Sequence, residues 1–174
     1  MTEIVETLLP AEEIARRVQS LAEEIAPWID DETVVVCLLT GGLWFAADLT
    51  RALARFDKHP LFDALWLASY GDEKETSGRV VERAGLQRSV QGRRVLIVDE
   101  VMDSGLSLLA AKRIAQKAGA SEVRIAAFAR KPWPTERDVT PDYVAWEAPA
   151  RFLIGYGMDD GGRYRGLPYV GALD

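Results

Sequence analysis

Two hydrophobic rhythms alternate along this chain. Residues 33–39, TVVVCLL, form an unbroken run of aliphatic and β-branched side chains, the pattern of a strand buried on both faces. Gly41 and Gly42 interrupt it, and LWFAADLTRALARF resumes with helical periodicity. Upstream, Ile14, Val18, Leu21 and Ile25 recur at helical spacing and predict an amphipathic helix over 10–26, with Pro10 suited to the first turn. Further strands are predicted at 62–69 (FDALWLAS), 94–98 and 122–129 (EVRIAAFA), with shorter extended pieces at 142–146 and 151–155. A helix at about 105–118 ends at Gly119. The segment YGDEKETSGR, 70–79, is polar and aperiodic and reads as a long loop of the kind that serves as a lid.

Strands alternating with helices predict an α/β fold with a mainly parallel sheet flanked by helices. In such sheets ligands sit beyond the C-terminal ends of the strands. Three polar stretches fall at such ends: Thr40-Gly41-Gly42, Asp99 to Ser107, and Lys131.

The chain has 174 residues, enough for one domain with its own core. Its net charge of −6, without a strong basic cluster, argues against a nucleic-acid surface. Cys37 is the single cysteine, which excludes an intramolecular disulfide and a cysteine-based zinc site. Flanked by Val36 and Leu38, it reads as a buried, inert thiol. His59, the single histidine, sits in a polar DKHP stretch and reads as a surface loop residue. The N-terminus lacks a signal-peptide pattern and no apolar run approaches the roughly 18 residues of a membrane span. We therefore expect a cytoplasmic protein without membrane partners.

The chemistry concentrates in VLIVDEVMDSGLSL, 95–108. A buried strand leads to a loop, Asp103-Ser104-Gly105-Leu106-Ser107, and then to a helix N-terminus whose free N–H groups suit a phosphate. For the serines alone, an ordinary N-cap explains the pattern. Asp99 and Glu100 alter the reading. Carboxylates beside a phosphate pocket would repel the guest unless they grip hydroxyls or a divalent cation on the same ligand. A phosphorylated sugar offers both.

This stretch resembles the phosphoribosyl-diphosphate (PRPP) motif of type I phosphoribosyltransferases: a hydrophobic strand, two acids, two apolar residues, then Asp-Ser/Thr-Gly-x-Ser/Thr. Neither a P-loop nor a G-x-G-x-x-G occurs; GYGMDDGG has Asp160 at the last glycine position. The segments 38–53, 67–80, 131–149 and 151–173 are similar, in order, to landmarks of the hypoxanthine(-guanine) phosphoribosyltransferases.

The resemblance implies a type I fold over 1–174, with a core at about 30–140 and a small hood from the N-terminal segment and 141–174. It implies transfer of ribosyl 5-phosphate from PRPP to N9 of a 6-oxopurine, with Mg²⁺. Asp99 and Glu100 would hold the ribose hydroxyls and metal, and Asp103 to Ser107, with Ser104, Gly105 and Leu106, the 5-phosphate. Asp103 would be the general acid/base at purine N7 and Lys131 the donor to O6. Phe152 would stack on the base, with the Leu153 carbonyl toward its 2-position. Asp159 would lie near a second Mg²⁺. Thr40, Gly41, Ser69, Tyr70 and Arg165 would surround the pyrophosphate. A homodimer or homotetramer is implied as well.

The chain departs from the family pattern in three places. Thr40 stands where many members carry lysine, Glu100 where aspartate is more usual, and Ser104 and Ser107 replace threonines. Two other readings are a xanthine-guanine type enzyme and a non-catalytic nucleotide- or RNA-binding regulator on the same fold.

Overall fold

A computed structural model describes residues 4–70 and 79–173, giving only the backbone of 4, 5, 69, 70 and 79. The elements in chain order are β1 (Ile4–Leu9), α1 (Ala11–Ile25), a 3₁₀ turn (Ala26–Trp28), β2 (Val34–Leu39), α2 (Leu43–Ala54) and β3 (Leu61–Tyr70). There follow β4 (Arg79–Ala84), β5 (Arg94–Met102), α3 (Leu106–Lys117), β6 (Glu122–Arg130), β7 (Tyr143–Glu147), β8 (Phe152–Ile154) and β9 (Val170–Leu173).

Six strands make the main sheet in the order β4-β3-β2-β5-β6-β7, parallel throughout except for the antiparallel edge pair β3–β4. The predicted α/β class and mainly parallel sheet are therefore present. The central β2 is buried from Val34 to Leu38, as its aliphatic run predicts. Leu96 and Val98 of β5 pack with α1 and α2 on one face. Val95 and Ile97 pack with α3 on the other. Successive side chains on a strand alternate between faces, so one strand supplies both cores. Among the described residues no helix is long and apolar enough to cross a membrane.

A second, three-stranded sheet has the order β1-β9-β8, antiparallel at both pairings. Neither β1 nor β9 is predicted from sequence. Leu9 and Val170 join the α1–α2 core and tie this sheet to the main one.

Some boundaries differ from expectation. Pro10 is the N-cap of α1 rather than a first-turn residue, and its carbonyl accepts from the N–H groups of Glu13 and Ile14. Strand β5 runs to Met102, four residues beyond its predicted end, so Asp99 and Glu100 lie on a strand rather than a loop. Of the lid expected over 70–79, residues 71–78 lie outside the described residues, while Tyr70 ends β3 and Arg79 begins β4.

Candidate active site

The extra length of β5 explains how adjacent acids serve different neighbours. Continuing the strand's alternation, Asp99 falls on the α3 side and Glu100 on the other. Asp99 lines a cavity of about 220 Å³ together with Asp103, Ser104, Gly105, Leu106 and Ser107. Glu100 lines one of about 190 Å³ with Asp103, Lys131, Phe152, Leu153 and Asp159. Both acids line a third, of about 380 Å³, with Thr40, Gly41, Arg83, Ser107, Asp159 and Arg165. The three cavities meet at the C-terminal end of β5.

The cavity of about 220 Å³ on the α3 side has the make-up of an anion cradle. Helix α3 has Gly105 as N-cap at φ +83°, with no side chain capping its first turn. The sequence-level alternative, a serine N-cap, is therefore not realised; Ser104 Oγ accepts only a long 3.4 Å hydrogen bond from Leu106 N–H. Free N–H groups at a helix start attract an anion both as donors and through the helix dipole. A Cβ on Gly105 would approach Met102 Cε at 2.7 Å and Val139 Cγ1 at 2.9 Å. Gly105→Ala is accordingly expected to cost about 1–2 kcal/mol from its left-handed backbone alone. A drop in Tm of about 3–6 °C by circular dichroism follows for a chain of this size, and an unchanged Tm would refute the strain.

The cavity beside Glu100 pairs a donor with an acceptor. Lys131 Nζ lies 3.0 Å from Asp103 Oδ1, with the two side chains 21% and 48% exposed. The loops that carry them are joined by Arg137, which donates from Nε to the Asp103 carbonyl at 2.7 Å and from Nη2 to the Lys131 carbonyl. Lys131 N–H in turn donates to the Met102 carbonyl. Arg137 is not predicted as a site residue, and an arginine in an aperiodic loop carries no sequence signal of this bridging. Phe152, 51% exposed, and buried Leu153 form the opposite wall from β8. Strand β8 is the edge of its sheet, so one side of its backbone is open to a ligand.

The third cavity is floored by tight glycine contacts. Gly41 lies so close to the Glu100 carboxylate that a Cβ there would collide with it, and a Cβ on Gly157 would strike the Gly41 carbonyl. The Leu39–Thr40 peptide is cis. Tyr156 fixes the loop bearing Gly157: its hydroxyl donates to Asp48 Oδ2 at 2.8 Å, and its ring meets Phe128 edge-on. Asp159 accepts from Gly162 N–H and pairs with Arg165 at 2.9 Å, and Arg165 also donates to the Gly157 carbonyl at 2.6 Å. Ser69 and Tyr70 end β3, whose backbone alone is described there.

The electrostatics of the acid pair favour a cation. Burial of its carboxyl group, reinforced by the adjoining Glu100 charge, pushes Asp99 well above the usual carboxylate range. Glu100 Oε2 is buried without a hydrogen-bond partner. Such an orphaned carboxylate oxygen fits a metal ion or a ligand hydroxyl. Among the described residues no three His, Cys, Asp or Glu side chains converge as a metal cluster. Asp159 therefore faces the same cavity as Asp99 and Glu100 without closing on one point with them. Mg²⁺ suits this arrangement, since it takes one or two carboxylates and completes its shell with water and ligand phosphates.

The two residues set aside at the sequence level stay apart from this chemistry. Burial, with Asp99 and Glu100 adding to it, pushes the Cys37 thiol up to about 12. His59 is exposed and sits 3.3 Å from Asp57.

The family model of the phosphoribosyl transferase domain matches residues 5–160. The chain belongs to this family. Within it, the chain is 34% identical to the hypoxanthine-guanine phosphoribosyltransferase of Bacillus subtilis (strain 168), over 98% of this chain and 94% of that protein. It is also 34% identical to the enzyme of the same name from Mycobacterium bovis, over 99% of this chain and 87% of that one. A solved hypoxanthine phosphoribosyltransferase from Staphylococcus aureus superposes with a TM-score of 0.88 at 29% identity, covering 98% of this chain and 92% of that one. The phosphoribosyltransferase fold thus spans the site from Thr40 to Asp159.

Proposed function

We propose that this phosphoribosyltransferase acts in purine salvage, moving the ribosyl 5-phosphate of PRPP onto N9 of hypoxanthine, and of guanine as well. The observation that carries this reading is the Lys131–Asp103 pair, 3.0 Å apart, in a cavity that continues past Asp99 and Glu100 to an uncapped helix terminus. On a 6-oxopurine, O6 and N7 lie side by side on one edge. A cationic donor next to a carboxylate complements that edge, whereas adenine offers a donor where Lys131 also donates.

In this assignment the 5-phosphate sits on the N–H groups and hydroxyls of Ser104 to Ser107. Asp99 and Glu100 hold the ribose hydroxyls. Phe152 stacks on the base, and the open edge of β8 at Leu153 meets its 2-position. Asp103 accepts the purine proton at N7, which makes N9 the better nucleophile. The C1–N9 bond forms as the C1–O bond to pyrophosphate breaks. Thr40, Gly41, Ser69, Tyr70 and Arg165 surround the departing pyrophosphate. Asp99 and Glu100 would hold Mg²⁺, with a second ion near Asp159, and the bound metal would neutralise charge on the diphosphate. A hood from the N-terminal segment and 141–174 over a core of about 30–140, assembly as a homodimer or homotetramer, and a place in the cytoplasm belong to the same proposal.

The test is a base panel. Purified protein with PRPP and Mg²⁺ is expected to convert hypoxanthine to inosine monophosphate, with guanine second and adenine inert. No turnover with hypoxanthine, guanine or xanthine would overturn the enzyme reading, and preference for xanthine would move it to the xanthine-guanine group.

A further inference from the structure

The cavity of about 380 Å³ carries an electrostatic imbalance. The acids Asp99, Glu100 and Asp159 line it, while Thr40 contributes no charge. Arg165, the cation assigned to pyrophosphate above, is committed to Asp159 and to the Gly157 carbonyl. Beyond the Mg²⁺ assigned above, a polyphosphate entering there calls for a side-chain donor of its own. The second cation lining the cavity is Arg83.

Arg83 reaches the cavity through a defect in the sheet. In the β3–β4 pair, Trp66 is opposite Ala84 but Leu67 is opposite Glu82, which leaves Arg83 as the extra residue of a β-bulge. Bulges bend the strand and re-aim the side chain they carry, and they concentrate beside active sites. The Arg83 guanidinium lies over the ring of Trp66, 5.6 Å from its centroid, and Trp66 itself lines the cavity with 41% of its surface exposed. A cation parked on an exposed ring is held weakly and can move to an anion at little cost. The base of this edge is firm. Asp63, nearly buried, accepts hydrogen bonds of 2.8 Å from the N–H groups of Ala64, Gln87 and Arg88, which pins the chain just beyond β4.

We propose that Arg83 is a pyrophosphate ligand of this chain, leaving Trp66 to grip the diphosphate of PRPP and the pyrophosphate product and supplying the charge that Thr40 lacks. This rests on the phosphoribosyl-transfer reading above. The guanidinium serves two adjacent phosphates well because it donates in a planar fork.

The test is steady-state kinetics with pyrophosphate product inhibition on R83A, R83K and R83A/T40K. For R83A, KM for PRPP and Ki for pyrophosphate are expected to rise about tenfold, the weight of one charge-assisted hydrogen bond. The KM for hypoxanthine and the Tm should stay at parental values. R83K should recover most of the loss, and R83A/T40K part of it by restoring a cation from the opposite wall. A pyrophosphate Ki within twofold of the parent in R83A overturns the assignment. So does a parallel rise in both KM values with a lowered Tm and no rescue by R83K. A parent enzyme without turnover sinks the transfer reading instead; calorimetric titration of parent and R83A with pyrophosphate then still decides on Arg83.

Discussion

Asp103→Asn is expected to lower kcat by about 10²–10⁴-fold, the usual weight of a positioned proton acceptor, while KM for PRPP moves by no more than about threefold. The amide is nearly isosteric and cannot take up a proton. Apart from the ion pair with Lys131, the contacts that hold the loop do not involve the carboxylate: Arg137 grips the Asp103 backbone carbonyl, and Gly105 sets the turn into α3. The phosphate cradle should therefore survive the change while the proton acceptor does not. Steady-state kinetics with PRPP and hypoxanthine varied separately make the distinction. A variant retaining a tenth or more of parental kcat would remove Asp103 from the proton-accepting role.

Lys131→Met should cut kcat/KM for hypoxanthine by about two orders of magnitude, as expected for losing a charge-assisted hydrogen bond in a half-enclosed site. The aliphatic stem keeps its volume, so KM for PRPP should hold. Discrimination against adenine should narrow, because the donor that opposes its 6-amino group is gone. The same residue also faces Asp103 at 3.0 Å, so the two substitutions should not combine independently. In the double variant D103N/K131M the loss should fall short of the product of the single losses, as it does for residues acting as a unit. Full multiplicativity would show that the pair does not work together on one edge of the base.

Much of this site is legible in sequence because its signals are local. The run Val95–Val98, the acids behind it and the Ser-Gly turn sit within fourteen residues, and the chain's own periodicity places them at a strand end. What escapes sequence reading depends on partners far along the chain. Ile4–Leu9 has no clear alternation and becomes a strand only because Val170–Leu173 lies beside it. Strand β4 is charged and follows a polar stretch of sequence, so its pairing with β3 is invisible until β3 is placed. The same holds for single residues. Arg83 owes its aim to a one-residue mismatch between two strands, and Arg137 owes its role to two carbonyls in separate loops. The length of β5 is misjudged for a different reason. Acids read as a strand's end, but here Asp99 stays paired opposite Ala127 and lines the cavity at the sheet's C-terminal end.

The β1-β9-β8 sheet also sets an order in which the site can be finished. Strand β9 is the middle strand, so β1 and β8 have no neighbour in that sheet until residues 170–173 are in place. A chain emerging from the ribosome N-terminus first can seat β2, β5 and α3, and with them the phosphate cradle, well before that. Phe152 and Leu153 must wait, although Lys131 across the cavity need not. The half of the pocket assigned to the sugar phosphate is thus built early in synthesis, and the wall assigned to the purine is among the last parts to close.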